Sequence, residues 1–318
     1  MPDAFSPARP LRLGTRRSPL AMAQARLTAR ALIEAHGWDE GAIELVLLQS
    51  SGDKVQDRAL AEIGGKALWT RELDAALGEG RIDAAVHSMK DVETIRPAAI
   101  LIAAILPRAD ARDRLIGAAS IDTLQHNARI GTASPRRAAQ LLSLRPDLRI
   151  QLIRGNVGTR LAKIERGEAD ATMLAAAGLD RLGMVGIGVA MPESVMLPAP
   201  AQGAIGIETL AANDAAHAAF DAIDDRACHA CVAAERALLY ALGADCHSPV
   251  AAHAVMKDER IHMTAQILTN DGSEQVRADA LFADAGGPAP ANLARDLLGG
   301  ASGKLAALFS GAPDGGRA

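Results

Sequence analysis

Short apolar runs alternate with amphipathic stretches of helix length from about residue 11 to residue 208, and this alternation restricts the chain to an α/β architecture. Leu11 to Gly14 reads as a strand and Ser18 to His36 as a helix. Ile43 to Leu48 follows as a strand, Ala67 to Leu77 as a helix and Asp83 to Met89 as a third strand. Such an order predicts a mostly parallel sheet covered by helices. A second set repeats it, with strands over Arg129 to Thr132, Arg149 to Ile153 and Ala171 to Ala175. Its helices span Pro135 to Leu144 and Val157 to Arg166. Leu197 to Pro200 interrupts the regularity before Gly203 to Glu208 returns as a strand. After a helix over Arg226 to Leu242, Val250 to Val255, Arg260 to Leu268 and Gln275 to Phe282 read as antiparallel strands, closed by a helix over Asn292 to Leu308. The polar stretch Ser50 to Gly65 reads as a long mobile loop, and the tail from Gly311 as frayed.

One short pattern occurs in both α/β sets. Gly14-Thr15-Arg16-Arg17-Ser18-Pro19 follows the first strand, with Gln24 one turn into the helix. Gly131-Thr132-Ala133-Ser134-Pro135-Arg136-Arg137 follows a later strand, with Gln140 similarly placed. Serine is a good N-cap and proline suits the first helical position. The N–H groups left exposed there, with the helix dipole and adjacent arginines, make an anion site. Two such turns imply two similar domains facing a shared cleft.

Other cations fall at the same kind of position. Lys66 follows Gly64-Gly65, Lys90-Asp91 follows His87-Ser88-Met89, and Arg154-Gly155-Asn156 precedes Arg160 at another strand-to-helix junction. Ligands of open α/β sheets bind beyond the carboxyl ends of the strands. The sequence therefore directs Arg16, Arg17, Lys90, Arg136, Arg137, Arg154 and Arg160 toward one mouth. Guanidinium groups pair bidentately with carboxylates and phosphates, so the ligand is a polyanion. No Walker-type loop or dinucleotide fingerprint is present, which weakens the nucleotide reading. Asp91, a carboxylate among cations, is placed to stabilise positive charge on a ligand.

Composition narrows the class. Hydrophobic residues make up 49% of the 318 but aromatics only 2%, so the cores must be aliphatic and little is left to stack bases. A net charge of −4 argues against a nucleic-acid binder. The first residues have no apolar stretch of the secretory kind, and no segment approaches a membrane span of about 20 residues. A cytoplasmic protein without membrane or nucleic-acid partners is expected. The three cysteines, Cys228, Cys231 and Cys246, do not make a disulfide scaffold. Cys228-His229-Ala230-Cys231 with Cys246-His247 could be a zinc set, but the first pair lies in a helical pattern and also reads as packing. A non-catalytic two-lobed binder of small anions would equally explain the paired turns.

Val86-His87-Ser88-Met89-Lys90-Asp91-Val92 resembles the signature of the hydroxymethylbilane synthases, also called porphobilinogen deaminases. So do Gly64-Gly65-Lys66, Arg154 to Leu161, Leu174 to Leu179, Gln202 to Glu208 and Ala234-Glu235-Arg236-Ala237, in the family's order over nearly the whole chain. The resemblance implies two domains like type II periplasmic binding proteins, 1–106 with 203–222 and 107–202, plus a small α+β domain over 223–318. It implies a monomeric enzyme that condenses four porphobilinogen molecules with loss of ammonia and then releases linear hydroxymethylbilane. The chain grows on a dipyrromethane cofactor held by a thioether, here to Cys246, and needs no metal. Asp91 would be the catalytic carboxylate. Ser88, Lys90, Thr132, Ser134, Arg136, Arg137, Arg154 and Gly155 would hold the cofactor, and Arg16, Ser18, Lys66, Arg154, Arg160 and Gln202 the substrate. The chemistry agrees with the residues: each porphobilinogen carries an acetate and a propionate, and positive charge develops on pyrrole nitrogen as ammonia leaves. Four departures from the family pattern stand out. They are Ala244-Asp245 and His247 around the cysteine, Glu62, Glu93 after Asp-Val, and Ala133 with Pro135 at the second turn.

Overall fold

The structure, a computed structural model, describes residues 5–49 and 70–311. Three sheets organise these residues. The first holds β1 (Leu11–Arg16), β2 (Ile43–Leu48), β3 (Ala84–Ser88), β4 (Ile100–Ile105) and β10 (Ile205–Leu210) in the order β2-β1-β3-β10-β4. The second holds β5 (Asp113–Ile116), β6 (Arg129–Gly131), β7 (Arg149–Gln151), β8 (Ala171–Ala175) and β9 (Val189–Ala190) in the order β7-β6-β8-β5-β9. The third is an antiparallel meander of β11 (Val250–Lys257), β12 (Arg260–Leu268) and β13 (Gln275–Phe282).

The two five-stranded sheets share one design. Three parallel strands (β2-β1-β3 and β7-β6-β8) are followed by one antiparallel strand, β10 or β5, and then an edge strand. Both are α/β sheets of mixed rather than mostly parallel character, with the small α+β unit after them, so the expected fold class holds. β10 is reached only after the chain has built the second sheet. It pairs with β3 and β4, keeping those two strands apart.

Most sequence-read elements match, and the differences have local causes. Helix α1 is Pro19–His36, capped by Ser18, whose side chain accepts from the Ala21 N–H, and ended by left-handed Gly37. Helix α2 is Arg71–Gly78, preceded by Thr70; residues 67–69 of the stretch read as Ala67 to Leu77, and the loop Ser50 to Gly65, lie outside the described residues. Helices α3 (Pro135–Leu144), α4 (Val157–Glu165), α5 (Ala176–Arg181), α6 (Asp214–Asp221) and α7 (Arg226–Leu242) follow. The closing helix read over Asn292 to Leu308 is two helices, α8 (Ala289–Gly299) and α9 (Gly303–Ala306). Gly299-Gly300 weakens the helix there, and Ser302 caps a new one.

Two compact units account for the chain. One contains the first sheet with residues 204–229, and the other contains the second and third sheets. In the first, Leu11, Leu13, Val86 and Ile207 form a mostly aliphatic core with Phe5 and Phe220. In the second, Leu115, Ile130, Leu141 and Met173 pack between sheet and helix, and Leu238, Leu242, Ile261, Met263 and Leu297 fill the small unit. Burying each such side chain stabilises by about 1.5–3 kcal/mol.

Candidate functional site

Asp91 ends a single 3-10 turn, Met89–Asp91, at the carboxyl end of β3. The Met89 N–H donates to Ala204 O at 3.1 Å, and the Met89 side chain, 1% exposed, packs on β10. A Cβ on Gly206 would stand 2.1 Å from Met89 Sδ, so glycine there leaves room for the Met89 side chain under the turn. This joins two motifs that lie far apart in sequence, Val86 to Val92 and Gln202 to Glu208. Beside the turn is a cavity lined by Arg16, Ser18, Leu20, Ala21, Gln24, Val86, His87, Ser88, Asp91 and Val92. Gln24, buried in α1, donates to Ser88 Oγ at 2.6 Å. The structure therefore brings Asp91, Ser88, Arg16 and Ser18 together around one pocket, with half-buried Lys90 adjacent in the turn.

Behind the pocket lies a clamp that sequence reading did not find. His87, on the pocket wall, has Nε2 3.1 Å from Glu208 Oε2, and Glu208 is fully buried on β10. Arg96 donates to both Glu208 oxygens at 2.8 Å and to Asp74 at 2.6 and 3.1 Å. It also reaches Glu93 at 3.1 Å and Thr70 at 3.2 Å, while Thr70 Oγ1 donates to Glu93 at 2.8 Å. Burial alone would raise the Glu208 carboxyl, but hydrogen bonding and attraction to His87 and Arg96 lower it to about 2. Glu93, one of the departures, thus ties the segment after Asp91 to the start of α2.

In the second unit the Ser134-Pro135 turn caps α3 as expected, with Ser134 Oγ accepting from the Arg137 N–H at 3.4 Å. The Ser134 N–H in turn donates to Thr132 Oγ1 at 3.1 Å. Arg136 and Arg137 depart from the expected open cation mouth. They are 3% and 5% exposed, and their Nη2 atoms donate to the two oxygens of Asp113 at 2.7 Å each. Their Nη1 atoms donate to Leu197 O at 2.7 Å and Met173 O at 2.9 Å. Gln202, expected on substrate, is fully buried, with its amide donating to Ala111 O at 2.6 Å and Asp113 at 2.8 Å. It serves the interior because its donors face protein acceptors. Asp113 itself, 0% exposed, would be raised by burial; attraction and hydrogen bonds from Arg136 and Arg137 outweigh this and hold it well below the usual carboxylate range. No charge pattern marked it in the sequence, because its burial depends on partners more than 20 residues away.

Arg154 is 7% exposed at the start of the next strand-to-helix junction. Gly155 has φ +119°, and a Cβ would meet Thr159 at 2.7 Å, so this position needs glycine. Asn156 caps α4, and Arg160 Nε donates to Gly155 O at 2.8 Å. Cys246 is exposed in the loop between α7 and β11. That loop is fixed by Asp245, whose carboxylate accepts from the His247 N–H at 2.8 Å and whose own N–H donates to Ser248 Oγ at 3.1 Å. Cys228 is half-buried and accepts from the Arg108 N–H at 3.3 Å; burial pushes its thiol up. Cys231 packs in the core of the small unit, and His229 is held by Asp224 at 2.8 Å. Lys66 and Glu62 lie outside the described residues.

Residues 11–218 match the family model described as porphobilinogen deaminase, dipyromethane cofactor binding domain, and residues 229–289 match that of porphobilinogen deaminase, C-terminal domain. The chain belongs to the porphobilinogen deaminase family. A porphobilinogen deaminase of Sphingopyxis alaskensis is 54% identical, over 98% of this chain and all of its own length. Another, from Paracoccus denitrificans, is 46% identical over 94% of this chain and 96% of its own. Among solved structures, the VFT2 domain of Bordetella pertussis BvgS aligns with 71% of this chain and 91% of that one, at 15% identity and a TM-score of 0.41. The deaminase family's cofactor-binding domain covers both five-stranded sheets described above.

Proposed function

We propose that the chain joins four porphobilinogen molecules head to tail, releasing ammonia at each step, on a dipyrromethane primer bound as a thioether to Cys246, and then frees linear hydroxymethylbilane by hydrolysis. The observation that carries this reading is Asp91, fixed by a pinned turn in the wall of a pocket that also holds Arg16 and Ser18. When bound, dipyrromethane supplies the pyrrole carbon to which the first substrate is joined. The residues present fit such a group: an exposed cysteine on a loop anchored by Asp245, and arginines for its acidic arms.

Asp91 stabilises positive charge on the substrate pyrrole as ammonia leaves and carries a proton for the coupling. Arg16 and Ser18 hold substrate carboxylates at the pocket, with Ser88 and Lys90 beside them. Thr132, Ser134, Arg136, Arg137, Arg154 and Gly155 hold the acidic arms of the cofactor, Arg160 those of substrate, and Lys66 acts from its loop. Guanidinium groups favour carboxylate arms because two N–H donors match two oxygens. Three domains, 1–106 with 203–222, 107–202 and 223–318, in a cytoplasmic monomer belong to the same proposal. No described helix is long and apolar enough to cross a membrane.

Intact mass tests the attachment. The purified protein is expected to exceed its sequence mass by one dipyrromethane unit, and Cys246→Ser to remove that excess together with activity. Full turnover of porphobilinogen by an unmodified chain would sink the reading.

A further inference from the structure

Beyond those assignments, the second unit contains a charged cluster whose geometry is incomplete. Two guanidiniums share one buried carboxylate, so Arg136, Arg137 and Asp113 together hold an excess of one positive charge. Every terminal nitrogen of the pair that has been described donates inward, to Asp113, Leu197 O or Met173 O. The Nε atoms of both arginines are buried and have no hydrogen-bond partner. An unpaired buried donor is costly, and an uncompensated buried charge costs more. A fold that keeps both features is prepared for an anion.

We propose that Asp113 is the positioning residue of this anion subsite. It fixes the planes of Arg136 and Arg137 so that their remaining N–H donors meet a carboxylate of the tethered pyrrole chain. This rests on the reading that Cys246 carries that chain. Three features make Asp113 the organiser. Its two oxygens separate the two arginines, one each, at 2.7 Å. Gln202 adds a third donor at 2.8 Å and prevents the carboxylate from rotating. The carboxylate stays ionised because attraction to both arginines outweighs its burial. Asparagine would keep the shape but present an N–H group to one of the two guanidiniums, so the pair would no longer be held alike.

The test compares wild type, Asp113→Asn and Asp113→Glu by urea unfolding, intact mass and steady-state kinetics. A purely structural aspartate would change the unfolding midpoint but leave cofactor occupancy of the folded protein intact. The positioning role predicts that folded Asp113→Asn carries about tenfold less dipyrromethane than wild type, equivalent to about 1.4 kcal/mol. Its loaded fraction should show a raised KM for porphobilinogen with kcat reduced less. Should Asp113→Asn fail to fold, Asp113→Glu keeps the charge but displaces the carboxylate, and the same loss of occupancy is expected. Full occupancy and unchanged KM in a folded variant overturn the proposal alone. A wild type without any addition on Cys246 overturns the attachment itself and this proposal with it.

Discussion

After β1 the pair Arg16-Arg17 precedes Ser18-Pro19, whereas after β6 the pair Arg136-Arg137 follows Ser134-Pro135, and this swap of order decides where the cations go. In the first sheet Arg16 closes a strand and Arg17 stands exposed in the turn. In the second sheet both arginines sit in the first turn of α3. Helical side chains point back toward the helix N-terminus, so these arginines reach over the strand ends to β5. Each sheet also buries one carboxylate on its antiparallel strand, Glu208 on β10 and Asp113 on β5. Glu208 is clamped by Arg96, which comes from the segment between β3 and β4, so the turn's own cation remains at the pocket. Asp113 is clamped by the turn's own arginines. The first unit thus separates the cation that organises its interior from the one that lines its pocket, whereas in the second unit the turn's own pair organises the interior.

Three experiments would break or sharpen that contrast. The largest effect is expected at Asp91, which has no part in either clamp. Asp91→Asn should lower the kcat for ammonia release by about 100- to 1000-fold without moving the urea midpoint; a parallel loss of stability would show that the pocket and the clamp are one structure. Next comes acid. Glu208 falls from an ordinary 4.5 to about 2 in the folded protein, so its contribution is fully present above pH 4.5 and is lost as pH drops toward 2. That contribution is about 3 kcal/mol. Unfolding at pH 5 and pH 3 should show it, and Glu208→Gln should flatten the dependence; an equal slope in the variant would assign it elsewhere. The smallest effect separates the two turns. Arg136→Met should cost about 2 kcal/mol, and Arg16→Ala less than about 0.5. Equal losses would erase the distinction.

Much of this was legible in the residues because it depends on local chemistry. Ser18 and Ser134 cap the helices that their Ser-Pro pairs announce, and helix α3 begins and ends where its pattern does. Asp91 lines one pocket with Arg16 and Ser18. What the sequence hid depends on distant partners. Asp113 opens a four-residue strand that looks like a charged linker, and its side-chain partners come from two other segments. Arg96 and Glu208 are 112 residues apart, so no spacing rule connects them. Their place after a strand end pointed Arg136 and Arg137 toward an open mouth, and nothing in that local pattern shows the buried carboxylate they reach.

The position of β10 has a consequence for biosynthesis. Strands β3 and β4 hydrogen-bond to β10 and not to each other, yet some hundred residues separate β4 from β10 along the chain. While the ribosome is still producing the second sheet, β3 and β4 have nothing between them, and Met89 lacks the Gly206 surface on which it rests. Folding of the Met89–Asp91 turn is therefore delayed until a late segment has been translated, and nascent chains expose two adhesive strand edges during that interval.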